Sequence, residues 1–281
     1  MSRPTIIVST GRTGTIFFAR LFGDMFPDRV ESYHERGQSR LINILTNAHF
    51  AGMLPRSLLF SAWQQWKQSE LNAQQKPYYI EVSNHLYGAV LLLPELWSQI
   101  QIVHIVRDPR SYVRSHVNWA RHRAKSFIAN YLVPFWQPNP YLIGEMRLGE
   151  WIRLSKFEHF CWIWDFKNRK MAELEHADVP YLRIYFEDFF QADHPEVSQD
   201  ELLHFMGLPV QQNTAVNFSR RVNPTQTKSF PSWPDWTPQQ CARLDQICGA
   251  SMRKFGYGGE AEWQKKVTLG YGNESKPIGK N

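Results

Sequence analysis

Four short runs rich in β-branched and other apolar residues set the architecture of this chain. They are TIIVS (Thr5 to Ser9), YYIEV (Tyr78 to Val82), IQIVHIV (Ile100 to Val106) and YLRIYF (Tyr181 to Phe186). Such nearly continuous apolar runs read as strands buried on both faces. The stretches between them are long and carry helical periodicity, as in SLLFSAWQQWKQSEL and FCWIWDFKNRKMAEL. Strands alternating with helices imply parallel βαβ units, so the expected fold class is a three-layer α/β fold with a central parallel sheet flanked by helices. At 281 residues the chain fits one domain spanning 1–281, with a polar, frayed tail from about Glu260. Ligands of such sheets sit at the carboxyl ends of the strands, which directs attention to the residues just after each run.

After the first run comes STGRTGT (Ser9 to Thr15), and then IFFARLF, which has helical spacing. Backbone amides at a strand-to-helix turn form an anion nest, and the dipole of the new helix favours negative charge there. Gly11 and Gly14 permit the tight turn, Thr13 and Thr15 offer hydroxyl donors, and Arg12 adds a fixed cation. The Lys-Ser/Thr pair that closes an ATP or GTP loop is absent. After the third run, RDPRSYVRSHVNW places Arg107 at the strand end and Asp108-Pro109 in a helix-starting turn. Ser115 comes eight residues after Arg107, and an arginine fork converging with a hydroxyl makes a second anion site.

Together, GRTGTIFFARL and IVRDPRSYVRSH resemble the two cofactor-binding signatures of the sulfotransferase superfamily, whose sulfuryl donor is 3′-phosphoadenosine 5′-phosphosulfate (PAPS). The resemblance implies a P-loop-like fold in which Gly11, Arg12, Thr13, Gly14 and Thr15 hold the 5′-phosphosulfate. It also implies that Arg107 and Ser115 grip the 3′-phosphate. Ile16 stands where other members carry a second threonine. YLRIYFEDFF is similar to a tyrosine-glutamate-aspartate strand end in the family, with Glu187 and Asp188 matching and Phe186 replacing the tyrosine. NPTQTKSFPSWPDW resembles the family's nucleotide-covering loop, with Lys228 as its basic residue and Arg220 and Arg221 as alternatives. In VESYHERGQSR, Glu35 resembles the catalytic glutamate of the family, and His34 and Glu31 are the other candidate bases.

The implied reaction is sulfuryl transfer to a hydroxyl or amine with release of adenosine 3′,5′-bisphosphate, Arg12 stabilising the leaving phosphate. Two other readings are a P-loop kinase-like nucleotide phosphotransferase and a nucleotide-binding relative without catalysis. The net charge of +6 suits anionic partners. The acceptor classes open to such a protein are small molecules, lipids and carbohydrates, acidic ones included. No nucleic-acid recognition motif is present.

The ten histidines never recur at helical i,i+3 or i,i+4 spacing, so no metal is expected. Three irregularly spaced cysteines fit a reducing compartment, and no apolar run approaches the length of a membrane span. The expectation is a soluble, cytoplasmic chain. His104, inside an apolar run, reads as a hydrogen-bonded core residue. Trp136, Tyr141 and Trp151 suit either an acceptor cleft or the core, and the sequence carries no sign of oligomeric state.

Overall fold

The computed structural model describes residues 4–97, 99–122, 133–210 and 230–274. Its centre is a five-stranded sheet of β1 (Thr5–Ser9), β2 (Val30–His34), β3 (Tyr78–Ser83), β4 (Gln101–Val106) and β5 (Tyr181–Tyr185). The spatial order is β2-β3-β1-β4-β5, and every neighbouring pair is parallel. The three-layer, P-loop-like α/β arrangement expected from the sequence is the one observed.

The layers arise from side-chain alternation along the strands. Ile6, Val8 and Ile102 point into one apolar cluster; Ile7, Val103 and Ile105 point into the other. The second face is covered by α1 (Thr15–Met25) and, later in the chain, by the helix Pro195–Met206. The first face is larger. It takes α2 (Ser39–Phe50), α3 (Arg56–Asn72), α4 (Pro109–His122) and α5 (Lys156–Ala172). With Pro195–Met206 as α6, the last two helices on this face are α7 (Pro238–Lys254) and α8 (Ala261–Glu274). Capping boxes start two of them: Ser155 with Glu158 on α5, and Thr237 with Gln240 on α7.

Three expectations need correction. The sheet has five strands where four runs were expected, the fifth being β2 from the VESYH segment at one edge, with only Val30 of its five residues buried. YLRIY, expected to be buried on both faces, is the opposite edge strand β5, with only Ile184 buried. The tail from about Glu260 is not frayed over its described part: α8 packs against α7. Trp263 and Val267 are buried, and at Gly270 a Cβ would stand 2.2 Å from the Pro238 carbonyl oxygen, so a side chain there would block the approach of the two helices. Trp263, Val267 and Gly270 form a narrow stripe at helical spacing on an otherwise polar segment.

Arg110 ties this end to the sheet. It is 3% exposed, pairs with both Asp108 and Glu260, and lies against the rings of Trp233 and Trp263. His104 is the core residue expected, bonded to Tyr181 and Asn168 at 2.7 and 2.9 Å. Among the described residues no helix is long and apolar enough to cross a membrane.

Candidate active site

The strand order reverses at β1. Its connection through α1 runs outward to β2, whereas the connection leaving β4 runs the other way to β5. A crevice opens at such a switch point, beyond the carboxyl ends of the strands. The loop after β1 lies there, flanked by the ends of β3 and β4.

The loop's backbone is unusual at three positions. Gly11, Arg12 and Gly14 have φ of 92°, 58° and 76°; the left-handed region is open to glycine but uncommon for arginine. Gly14 is the residue before α1, and a Cβ there would stand 2.8 Å from the Phe190 ring. Gly14→Ala is therefore expected to destabilise the fold by about 1–2 kcal/mol, read as a lower urea midpoint with unchanged slope. The Gly11 amide donates to Ser9 Oγ at 3.1 Å. Thr10 Oγ1 and Thr13 Oγ1 are buried and find no hydrogen-bond partner among the described residues. Thr15 Oγ1 lies 3.0 Å from His34 Nε2.

The end of β4 is joined to this loop. Arg107 donates through its guanidinium to the Arg12 carbonyl, and the Arg12 Nε–H donates to Ser115 Oγ on α4 at 3.0 Å. The Arg107 carbonyl accepts from Trp164 Nε1 at 2.9 Å, its guanidinium carbon lies 4.2 Å from the Phe186 ring centroid, and its Nε is buried without a partner among the described residues. Burial pushes the Arg107 pKa down to about 10, Glu187 opposing and Arg12 adding to the effect, so it remains cationic at neutral pH. Asp108 accepts from the Arg110 amide at 2.7 Å and so caps α4. Glu187 accepts from the Asp108 amide and the Tyr257 hydroxyl, at 3.2 and 2.7 Å. Unpaired hydroxyls and a guanidinium N–H around a nest of amides are what a multi-oxygen anion requires.

On the other flank, Glu35 comes directly after β2 with φ of 52°. Its carboxylate accepts from Asn84 Nδ2 at 2.7 Å and lies 3.4 Å from His85 Nε2, with His34 Nε2 and Arg40 each at 3.8 Å. Burial pushes this carboxyl up, but the hydrogen bond and charge of His85, with the charges of His34 and Arg40, outweigh it and hold the pKa below the ordinary value. Burial moves the His34 pKa down, Glu35 opposing. A cavity of about 200 Å³ runs from Thr10, Gly11 and Arg12 past His85 and Trp136 to Lys167. His85 and Asn84 line it; Glu35 stands behind them.

No protein-family model matches the chain, and no curated protein matches it. Solved structures are similar to it. One is a sulfotransferase from Alicyclobacillus acidocaldarius, at 13% identity and a TM-score of 0.47 over 90% of this chain and 100% of that one. Another is the sulfotransferase domain of the Synechococcus PCC 7002 olefin synthase, at 14% and 0.47 over 98% and 96%. A third is a mouse sulfotransferase complexed with PAP, at 14% and 0.49 over 95% and 88%.

The fold thus gathers Gly11, Arg12, Thr13, Gly14, Thr15, His34, Glu35, Arg107 and Ser115 at one end of the sheet. Glu31 is held elsewhere, at the start of β2, by the Tyr33 hydroxyl and the amides of Gln75 and Lys76. Lys228, Arg220 and Arg221 lie outside the described residues. Trp136 lines the cavity, whereas Tyr141 stacks on Trp151 at 6.5 Å and neither lines it.

Sequence reasoning missed His85 and Lys167. His85 sits just past the end of β3, at the edge where ligands bind, and that position was its available signal. Lys167 lies within an aromatic-rich helix, where nothing local marks it. Among the described residues no three histidine, cysteine or carboxylate side chains gather as a metal site.

Proposed function

We propose that the protein transfers a sulfuryl group from PAPS to a hydroxyl acceptor in the cavity and releases adenosine 3′,5′-bisphosphate. The observation that carries this reading is the joining of the two arginine motifs. Arg107 and Ser115, far from the first loop in sequence, both bond to Arg12, which puts two cations and a hydroxyl on one crevice beside the amide nest. PAPS would supply the sulfuryl group and two separated phosphate positions.

In this reading the loop amides and Thr13 hold the 5′ end, and Arg107 with Ser115 holds the 3′-phosphate. That remote contact uses binding energy away from the reacting centre to orient the donor. As the sulfur–oxygen bond to the donor phosphate breaks and one to the acceptor oxygen forms, Arg12 neutralises charge gathering on the departing phosphate. His85 takes the acceptor's proton. Glu35, held ionised, fixes the imidazole through Nε2, leaving Nδ1 as the basic nitrogen. The carboxylate is a poor base at neutral pH because its pKa is depressed.

Calorimetric titration tests the donor assignment. Wild-type protein is expected to bind adenosine 3′,5′-bisphosphate in preference to AMP and ATP, and Arg107→Ala to weaken that binding by about thirtyfold or more, the loss expected for charge-assisted contacts to a phosphate. Preference for ATP with magnesium would replace this reading with a nucleotide phosphotransferase.

A further inference from the structure

Lys167 is a charged side chain whose burial the donor site does not explain. It is 2% exposed, comes from α5 and lines the cavity. Among the described residues it forms no ion pair, and its ammonium instead rests 4.7 Å from the centroid of the Tyr87 ring. Buried ammonium groups are ordinarily paired, because removing them from water is costly. The carboxylate that attracts it is Glu35, and that group is already engaged by Asn84 and His85. Burial brings the Lys167 pKa down to about 8, Glu35 opposing, so the side chain is mostly protonated at neutral pH.

The surroundings add shape and a second unsatisfied group. Trp136 stands beside His85 with ring centroids 5.3 Å apart, and Trp119, Phe160 and Ile163 contribute further apolar wall. Gln137 Oε1 is buried in the same cavity without a partner among the described residues. At about 200 Å³ the space lies below the roughly 300–1,000 Å³ of pockets for drug-sized ligands. Arg12, Arg107 and the loop amides already match the charge of a bisphosphate donor, so Lys167 is left for the other substrate.

We infer that the acceptor is a compact, flat hydroxyl compound bearing a carboxylate-type anionic group, the anion seated on Lys167 and the flat body against Trp136. Its role as acceptor rests on the proposed sulfuryl-transfer reading, but its binding does not need the donor. The anion supplies the missing counter-charge, the reacting hydroxyl faces His85, and an acceptor with a further hydroxyl can donate that one to Gln137 Oε1.

The test is titration of wild type, Lys167→Met and Lys167→Arg with 4-hydroxybenzoate and with uncharged 4-methylphenol, each with and without adenosine 3′,5′-bisphosphate. Wild type is expected to favour 4-hydroxybenzoate. Lys167→Met should weaken that probe about tenfold or more, ~1.4 kcal/mol, and leave 4-methylphenol unchanged; Lys167→Arg should retain most of the binding. Because Lys167→Met removes an unpaired buried charge, its thermal midpoint is expected at or above that of wild type, which keeps the comparison between folded proteins.

Equal binding of the two probes by wild type, no binding of 4-hydroxybenzoate, or equal loss of both probes in Lys167→Met would overturn the inference. A loss confined to the bisphosphate would do so too, by assigning Lys167 to the donor. Failure of wild type to bind the bisphosphate would remove the sulfuryl-transfer reading alone, since the probe titrations without nucleotide stand by themselves.

Discussion

Asparagine in place of His85 is expected to lower turnover about 10²–10⁴-fold while leaving the affinity for adenosine 3′,5′-bisphosphate unchanged. The reason is positional. His85 lines the cavity, whereas Glu35 reaches it only through Asn84 and His85. Glu35→Gln separates the two roles. Glutamine keeps the oxygen that accepts from Asn84 but removes the charge facing the imidazole, so its loss should be smaller than that of His85→Asn. Equal losses in the two variants, or a larger one for Glu35→Gln, would restore the carboxylate as the base. Turnover with PAPS and a phenolic acceptor, measured beside calorimetric nucleotide binding, decides between them; a fall in nucleotide binding for His85→Asn would show damage to the loop instead.

The same residues show how much the sequence alone carries. β1, β3 and β4 were legible because both faces of each are covered, nearly every residue is buried and most are apolar. β2 was not, because VESYH alternates with charged and polar residues and has no apolar run to detect. β5, the other edge strand and equally with one buried residue in five, was legible because YLRIY keeps a β-branched and aromatic pattern. Arg12, Arg107 and Ser115 were legible because each anion motif is local, a strand end running into a helix start. The hydrogen bonds joining the motifs are tertiary, and only folding brings them together.

The cavity is tertiary as well. Asn43 and Asn47 on α2 donate to the carbonyls of Trp136 and Phe135 at 2.8 and 2.7 Å, holding that segment across the site with Phe135 at φ of 59°. The three non-glycine residues with positive φ among those described, Arg12, Glu35 and Phe135, all belong to the site or its cover. Backbone strain of this kind persists where surrounding contacts over-determine it.

One such set of contacts lies beneath Glu35, and its disruption carries the largest expected effect on stability. Lys67 and Glu81 are 1% and 0% exposed and paired at 2.6 Å. Glu70 adds a second carboxylate to Lys67 at 2.8 Å, and the Tyr79 hydroxyl donates to Glu81 at 2.9 Å. Ser39 Oγ lies 2.6 Å from both Glu81 Oε1 and the Arg36 carbonyl, so its single proton serves one of them at a time.

This network joins α3 and β3 to the start of α2, one turn after Glu35. Lys67→Met would leave Glu81 buried without its cation and is expected to cost about 3–5 kcal/mol, measured by urea unfolding. Adding Glu81→Leu should recover much of that loss, because two apolar groups need no charge compensation. In the double variant the Ser39 contact is gone while the core is intact, so the turn after β2 loses one anchor and turnover should fall more than stability does. Recovery of stability and turnover together would mean that the buried pair contributes to folding alone, and that the Asn84 and His85 contacts suffice to hold Glu35 in its strained conformation.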